Sequence, residues 1–221
     1  MIYKAIIMCG GKSTRFGGVD KSLYIYKGRS IISYLLSSLK DLNIKEIILV
    51  CNKKNRELIK REALNYFGPN IVLINSPESF RKGIKISEEH LNGPFLLLAG
   101  NQPISSNHLK KIIKMHDKTG DWVVSLYPPE ISTENSKVSL SENNIISQKE
   151  ELVLQHPMII SDEIIKFQEE EKYANKLEET LKRLSRVKSI RGVISKAPPE
   201  FDNKEMLKNN KKYIRSNKIW R

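Results

Sequence analysis

Cysteine is scarce in this chain, which has only Cys9 and Cys51 among its 221 residues. Neither cysteine stands in a CxxC or Cys/His spacing, so the sequence gives no zinc site. Each one ends an apolar run, which is the usual place of a small buried side chain. We therefore expect two buried thiols in the reduced state.

Long apolar runs are also missing. The longest, such as residues 95–99, are far too short to cross a bilayer. The first residues, MIYKAIIMCGG, lack the long apolar segment and small-residue cleavage site of a signal peptide. We expect a cytoplasmic protein with no membrane partner. A hydrophobic content of 39% and a charged content of 29% are typical of a globular chain.

The net charge of +13 is large enough to raise the question of a nucleic-acid partner. However, the lysines are interleaved with glutamates along the whole chain, and no RNA- or DNA-binding motif accompanies them. This distribution favours a solvated, lysine-rich surface. We therefore expect no nucleic-acid partner.

The first half of the chain alternates strand and helix patterns. Helices are predicted at 30–42, 55–67, 78–91 and 105–118, and strands at 2–8, 44–51, 71–74, 95–99 and 122–126. Strands separated by such helices form βαβ units, with ligands at the carboxyl edge of the sheet. We expect an α/β fold with three α/β/α layers and a mostly parallel, Rossmann-like sheet.

The second half is less regular. Residues 128–144 resemble a surface excursion with short strands, 153–160 a strand, and 162–171 and 177–184 helices. Asp202 or Asn203 is placed to cap a last helix. With no internal repeat or low-complexity linker, we expect one domain over residues 1–221, with an irregular C-terminal third from about residue 128.

A glycine-rich segment with two cations, MCGGKSTRFGGVDKSL, follows the first predicted strand. Glycines let backbone N–H groups approach phosphate oxygens closely, and Arg15 and Lys21 offset the remaining negative charge. The segment therefore favours a nucleoside triphosphate, although it is neither a P-loop nor a GxGxxG fingerprint. Asp20, beside Lys21, is expected to structure the loop or to form an ion pair.

GGKSTRFGGVDKSL resembles the signature loop of nucleotidyltransferases, which move a nucleoside monophosphate from a triphosphate onto an acceptor phosphate. The spelling is closest to the molybdenum cofactor guanylyltransferase family, and LYIYKGRSII is similar to its L-x-x-x-G-K-P-L-I segment. The resemblance implies transfer of GMP from GTP with Mg²⁺ and release of pyrophosphate. It also implies that Arg15 and Lys21 are catalytic, because both stabilise charge on the α-phosphoryl group and the leaving pyrophosphate.

The resemblance further implies a set of nucleotide-binding residues. They are residues whose backbone atoms would contact the nucleobase, further residues of the glycine-rich loop, and three asparagines. The full set is Met8, Cys9, Gly10, Gly11, Lys12, Ser13, Thr14, Gly17, Gly18, Asn52, Asn75 and Asn101.

Two of these asparagines replace carboxylates of the family. Asn101, in AGNQP, stands at the position of a metal-binding aspartate, and Asn75 stands where family members tend to carry an aspartate. An amide oxygen can ligate a hard cation but brings no charge, which predicts weaker Mg²⁺ binding unless another acid compensates. Asp202, in a segment similar to the family's N-x-N-T-P-E-D-L, is the candidate second metal ligand. A plain helix cap is the other interpretation of Asp202.

Two residues are candidates for the acceptor side. His156 precedes Pro157 and resembles an H-P element of the family, while a purely structural histidine is the alternative. Arg81, followed by Lys82, opens the third predicted helix and is placed to bind an acceptor phosphate; an exposed helix start is the alternative.

Other functions stay open. They are a guanylyltransferase for adenosylcobinamide phosphate, a cytidylyl- or sugar-phosphate transferase, and a nucleotide-binding regulatory relative that has lost catalysis. Asn75 and Asn101 motivate the last of these. The sequence leaves the acceptor, the base preference and the oligomeric state undetermined.

Overall fold

A computed structural model describes residues 2–10, 20–76, 80–127, 137–141, 144–146, 152–170 and 177–195. The strands in this part of the chain are β1 (Lys4–Cys9), β2 (Ile25–Tyr26), β3 (Arg29–Ser30), β4 (Glu46–Cys51), β5 (Ile71–Asn75), β6 (Pro94–Ala99), β7 (Trp122–Tyr127), β8 (Lys137–Ser141), β9 (Asn144–Ile146), β10 (Leu152–Ser161) and β11 (Ile190–Ile194). The helices are α1 (Ile31–Lys40), α2 (Arg56–Phe67), α3 (Phe80–Lys85), α4 (Ser106–Thr119), α5 (Ile164–Glu170) and α6 (Leu177–Leu184).

Within these described ranges, nine strands form one sheet in the order β5-β4-β1-β6-β10-β7-β11-β9-β8, and β2 pairs with β3 in a separate hairpin. The first four strands are parallel, as are β7 and β11. β10 is antiparallel to both of its neighbours, β6 and β7. β8 is antiparallel to β10 and β9, so seven of the nine strands run in the same direction, which confirms the mostly parallel fold predicted from the sequence. The reversed β10 at the middle of the sheet is the feature that the sequence pattern does not predict.

Alternating side chains divide the core into two halves, one on each face of the sheet. Along β1, Ala5 and Ile7 pack with α1, α2 and α4, whereas Ile6 and Met8 pack with α3, α5 and α6. Apolar residues of a buried parallel strand point to both faces, which explains its continuous hydrophobic run. The three-layer α/β/α arrangement is confirmed.

Local signals in the sequence set several helix ends. The side chains of Ser30 and Ser105 accept hydrogen bonds from the backbone amides of Ser33 and His108, in the first turns of α1 and α4. α2 and α4 end at Gly68 and Gly120, whose φ values of 55° and 73° lie in the region that favours glycine. No helix in the described part of the chain has the length and apolar composition needed to cross a membrane.

Several elements of the structure differ from the prediction. From residue 80 onward, the helix expected over 78–91 continues as α3 only to Lys85 and is followed by a single 3₁₀ turn at Glu88–His90. At this point the Ser87 amide donates to the Ile84 carbonyl at 3.0 Å, and the Ser87 hydroxyl donates to the Gly83 carbonyl at 2.8 Å, so the i−4 pattern of α3 gives way to a tighter turn. α5 begins two residues later than the pattern predicts, and β11 was not predicted because Arg191 and Gly192 interrupt its apolar run. The last predicted helix lies outside the described residues.

Candidate active site

The carboxyl ends of the parallel strands bring several predicted site residues to one edge of the sheet. Cys9, Cys51 and Asn75 are in register across β1, β4 and β5. Ala99, at the end of β6, is level with Met8. The segments that follow these strands carry Gly10, Asn52 and Asn101, so the structure brings the three predicted asparagines to the same edge.

Part of the predicted site lies outside the described residues. These positions are Gly11, Lys12, Ser13, Thr14, Arg15, Gly17, Gly18 and Asp202. Arg81 lies within α3 at this edge. The roles assigned to all of these residues stay predictions.

The turn that begins at Lys21 is held in place by the carboxylate of Asp20, the residue before it. Asp20 is only 6% exposed and caps the 3₁₀ turn Lys21–Leu23, accepting from the Ser22 amide at 3.0 Å and from the Ser22 hydroxyl. Its second oxygen accepts from Nδ2 of Asn55 at 3.0 Å. Asp20 therefore structures the turn that follows the glycine-rich segment. Asn55, which ties the turn to the start of α2, was not predicted as a site residue.

The AGNQP turn packs directly against this segment. The Gly100 amide donates to the Met8 carbonyl at 2.9 Å. A Cβ at Gly100 would lie 2.5 Å from Sγ of Cys9 and 3.4 Å from Cβ of Ser22, so only glycine fits without displacement. The contact brings Asn101, the next residue, beside the turn that carries Lys21.

The same turn is also fixed to β10. Nε2 of the buried Gln102 donates to the Tyr127 hydroxyl at 3.0 Å and to the His156 carbonyl at 2.9 Å. The Tyr127 hydroxyl donates to that carbonyl at 2.6 Å. The His156-Pro157 peptide is cis, and the β10–β7 register shifts there. The backbone of His156 thus adjoins the AGNQP turn, while the acceptor-binding role of its ring stays a prediction.

Asn52 and Asn75 occupy the β4 and β5 side of the edge. Oδ1 of Asn52 accepts from the Lys54 amide at 3.3 Å, which fixes the turn between β4 and α2. Oδ1 of the exposed Asn75 accepts from Nη1 of Arg56 at 3.3 Å. Arg56 was missed by the sequence reasoning, which treated residues 55–67 only as a helix.

The two cysteines are free and buried, as predicted. Burial raises the pKa of Cys9 well above its usual value, and the nearby Asp20 raises it further. Burial also raises the pKa of Cys51 to about 11. Both thiols are therefore protonated at neutral pH, and neither is suited to act as a nucleophile.

The metal site implied by the resemblance combines Asn101, which the structure describes, with Asp202, which lies outside the described residues. Among the residues that the structure describes, no group of three His, Cys, Asp or Glu side chains is placed to hold a metal ion. Asn101 offers a neutral amide oxygen, which fits Mg²⁺ as a supplementary ligand to phosphate oxygens rather than as part of a protein cage.

Comparison with known proteins gives one family match that covers most of the chain. The family model described as "MobA-like NTP transferase domain" matches residues 5–191. An adenosylcobinamide-phosphate guanylyltransferase from Methanocaldococcus jannaschii is 32% identical over 101 residues, which cover 44% of this chain and 50% of that protein. A molybdenum cofactor guanylyltransferase from Ectopseudomonas mendocina is 31% identical over 71 residues, which cover 29% of this chain and 35% of that protein. The chain thus spans half or less of the length of these curated relatives.

Solved structures share the fold over almost the whole chain. The inositol-1-phosphate CTP transferase from T. maritima superposes with a TM-score of 0.80 and 18% identity, covering 99% of this chain and 96% of that one. At this identity the likeness establishes the fold alone.

Proposed function

Because this chain belongs to the MobA-like NTP transferase domain family, we propose that it transfers a nucleoside monophosphate, GMP from GTP, onto a small phosphate-bearing acceptor and releases pyrophosphate. The matching relatives carry guanylyltransferase names, which favours GTP. The proposal treats residues 1–221 as one nucleotidyltransferase domain acting in the cytoplasm.

One observation carries the proposal: the turn that holds Lys21 is anchored at the carboxyl edge of β1. Asp20 fixes the backbone of that turn, and Gly100 packs against it from the opposite side. Catalysis of phosphoryl-type transfer rests on positioned cations more than on covalent chemistry. An ammonium group on a fixed turn beside a glycine-rich loop meets that requirement.

The reaction needs no protein nucleophile. A phosphate oxygen of the acceptor attacks the α-phosphorus of the triphosphate, a new P–O bond forms, and the bond to the β-phosphate bridging oxygen breaks. Pyrophosphate leaves with the electron pair of the broken bond. Lys21, together with Arg15, stabilises the charge that develops on the phosphoryl oxygens and on pyrophosphate. The protonated thiol of Cys9 takes no part in bond formation.

Bound Mg²⁺ would supply further neutralisation of the phosphate oxygens. The chain would hold it with the amide oxygen of Asn101 and the carboxylate of Asp202. Arg81, in the helix that follows β5, and His156, in β10, are the proposed contacts of the acceptor. Asn52 and Asn75, at the ends of β4 and β5, are the proposed contacts of the nucleoside.

Pyrophosphate release tests the proposal. Each NTP is incubated with Mg²⁺ or Mn²⁺ and a panel of acceptor phosphates, including molybdopterin, cobinamide phosphate, sugar phosphates and polyol phosphates. We expect release with one combination, and a loss of about 10²–10³ in kcat/KM for Lys21→Ala, the range seen for removal of one transition-state contact.

Lys40→Ala is the matched control. Lys40 is the exposed last residue of α1, at the opposite end of the helix from the candidate site. Its variant should retain full activity. Nucleotide binding without release across the whole panel would instead assign the chain to the regulatory, non-catalytic relatives.

A further inference from the structure

Arg56 and Asn75 meet at the β5 end of this edge of the sheet, four strand positions away from β10 and His156. Arg56 is the first residue of α2, which follows β4, and Asn75 is the last residue of β5. Nη1 of Arg56 donates to Oδ1 of Asn75 at 3.3 Å. Burial raises the pKa of the Cys51 thiol, and the positive charge of Arg56 opposes that rise. Nε of Arg56 is buried, and Nη1 contacts the end of β5 through Asn75.

This contact fixes which way the amide of Asn75 points. A guanidinium carries only donors, so the atom of Asn75 that faces Arg56 must be the oxygen. Nδ2 then faces away from Arg56, and the side chain is exposed. The pair consequently offers mainly N–H donors to a ligand, because its amide oxygen faces the guanidinium. An aspartate at position 75 would present a carboxylate oxygen, which is an acceptor.

The location matches the span of a nucleoside. Asn75 is in register with Cys51, which is in register with Cys9. Two strand spacings amount to about 10 Å. A nucleotide whose phosphates lie at the loop after β1 would reach the β5 side with its base. Over the described residues, β5 is the edge strand of the sheet.

We propose that Asn75 and Arg56 form a donor-only pair that selects the nucleobase by its hydrogen-bond acceptors. This inference rests on the proposed nucleotidyltransferase function. Two adjacent acceptors occur on guanine, at N7 and O6, and on cytosine, at N3 and O2. Adenine places its N6 amino donor beside N7 and N1, and uracil places N3–H between its two carbonyl oxygens. The pair therefore favours GTP or CTP over ATP and UTP. It does not recognise guanine by its N1–H and N2 amino donors, as a carboxylate would.

Base analogues test this directly in the full-length chain by calorimetric titration. We expect GTP or CTP to bind about tenfold more tightly than ATP and UTP, the effect of one well-made hydrogen bond of this strength. ITP, which lacks the N2 amino group, should bind within twofold of GTP. 7-deaza-GTP, which lacks N7, should lose about tenfold relative to GTP. If CTP is preferred, 3-deaza-CTP should lose the same factor relative to CTP.

Asn75→Asp should change the recognised face of the base. The new carboxylate accepts from guanine N1–H and N2–H₂, so the variant should prefer GTP over ITP by about tenfold. Asn70→Asp is the matched control, because it adds the same charge just before β5, at the opposite end of that strand. It should leave the ratio of GTP to ITP affinity unchanged. Arg56→Gln should weaken discrimination among the four bases.

The outcomes separate this inference from the function on which it rests. Tight binding of nucleotides with a strong GTP preference over ITP in the unmodified chain would overturn the donor-only pair and leave the nucleotidyltransferase assignment standing. An unchanged GTP to ITP ratio in Asn75→Asp would do the same. Failure of every NTP to bind would overturn both proposals.

Discussion

Asn55→Asp tests whether the Lys21 turn depends on its link to α2. In the native chain, Nδ2 of Asn55 donates to the carboxylate of Asp20 at 3.0 Å. The substitution is nearly isosteric, but it replaces the donor with a second carboxylate. Two negative groups then face each other in a partly buried position. The turn that presents Lys21 is expected to shift away from α2.

The expected loss of stability follows from that contact. A hydrogen bond to a charged group contributes about 1.5–3 kcal/mol. Two like charges about 4 Å apart repel by about 4 kcal/mol at an effective dielectric constant near 20, before the side chains move apart. Since relaxation removes part of the repulsion, we expect a total loss of about 2–4 kcal/mol. For a domain of this size that loss lowers Tm by roughly 4–16 °C.

A reciprocal swap provides the control. In the double variant Asp20→Asn with Asn55→Asp, the amide at position 20 donates to the carboxylate at position 55, and the pairing is restored with its polarity reversed. Urea denaturation of the four proteins gives the coupling between the two sites. We expect at least 1 kcal/mol of recovery, together with partial recovery of kcat/KM. Additive losses, with a coupling below about 0.5 kcal/mol, would refute the link.

Three further outcomes are expected. Gly100→Ala should destabilise by about 1–3 kcal/mol in urea denaturation, because its Cβ would lie 2.5 Å from Sγ of Cys9, and Cys9→Ala should relieve most of that loss. Burial lowers the pKa of His108 from 6.5 to about 4, so its contribution to stability is present above pH 6.5 and lost as the pH falls toward 4. His108→Gln should therefore flatten that acid limb by up to roughly 3 kcal/mol. Iodoacetamide at pH 8 should alkylate Cys9 and Cys51 at least tenfold more slowly in the native protein than in urea, and equal rates would contradict their burial.

The strands of the first half were predictable because their signals are local. The β-branched run before Cys51 has the composition of a buried strand. Gly68 marks the end of α2, because glycine readily adopts the φ of 55° found there. Sequence spacing does not encode strand direction or insertion. β10 enters between β6 and β7 after a long excursion, and nothing in its apolar run distinguishes an antiparallel strand from a parallel one.

The candidate site was predictable in outline and not in its supporting contacts. The strand-end asparagines follow from the rule that ligands bind at the carboxyl edge of a parallel sheet. By contrast, Asn55 reaches Asp20 across 35 residues, and Gln102 reaches the His156 carbonyl across 54 residues. Such contacts depend on the packed backbone. Arg56 was missed for the same reason, since its partner Asn75 lies on another strand.

The AGNQP turn has a thermodynamic consequence for how the two proposed substrates affect each other's affinity. Its Gly100 amide bonds to β1, on the side proposed for the nucleotide, and its Gln102 side chain bonds to the His156 carbonyl, on the side proposed for the acceptor. A shift of this turn on binding one substrate would alter the pocket of the other. Linkage then requires reciprocity: whatever factor the triphosphate contributes to acceptor affinity, the acceptor returns to the triphosphate.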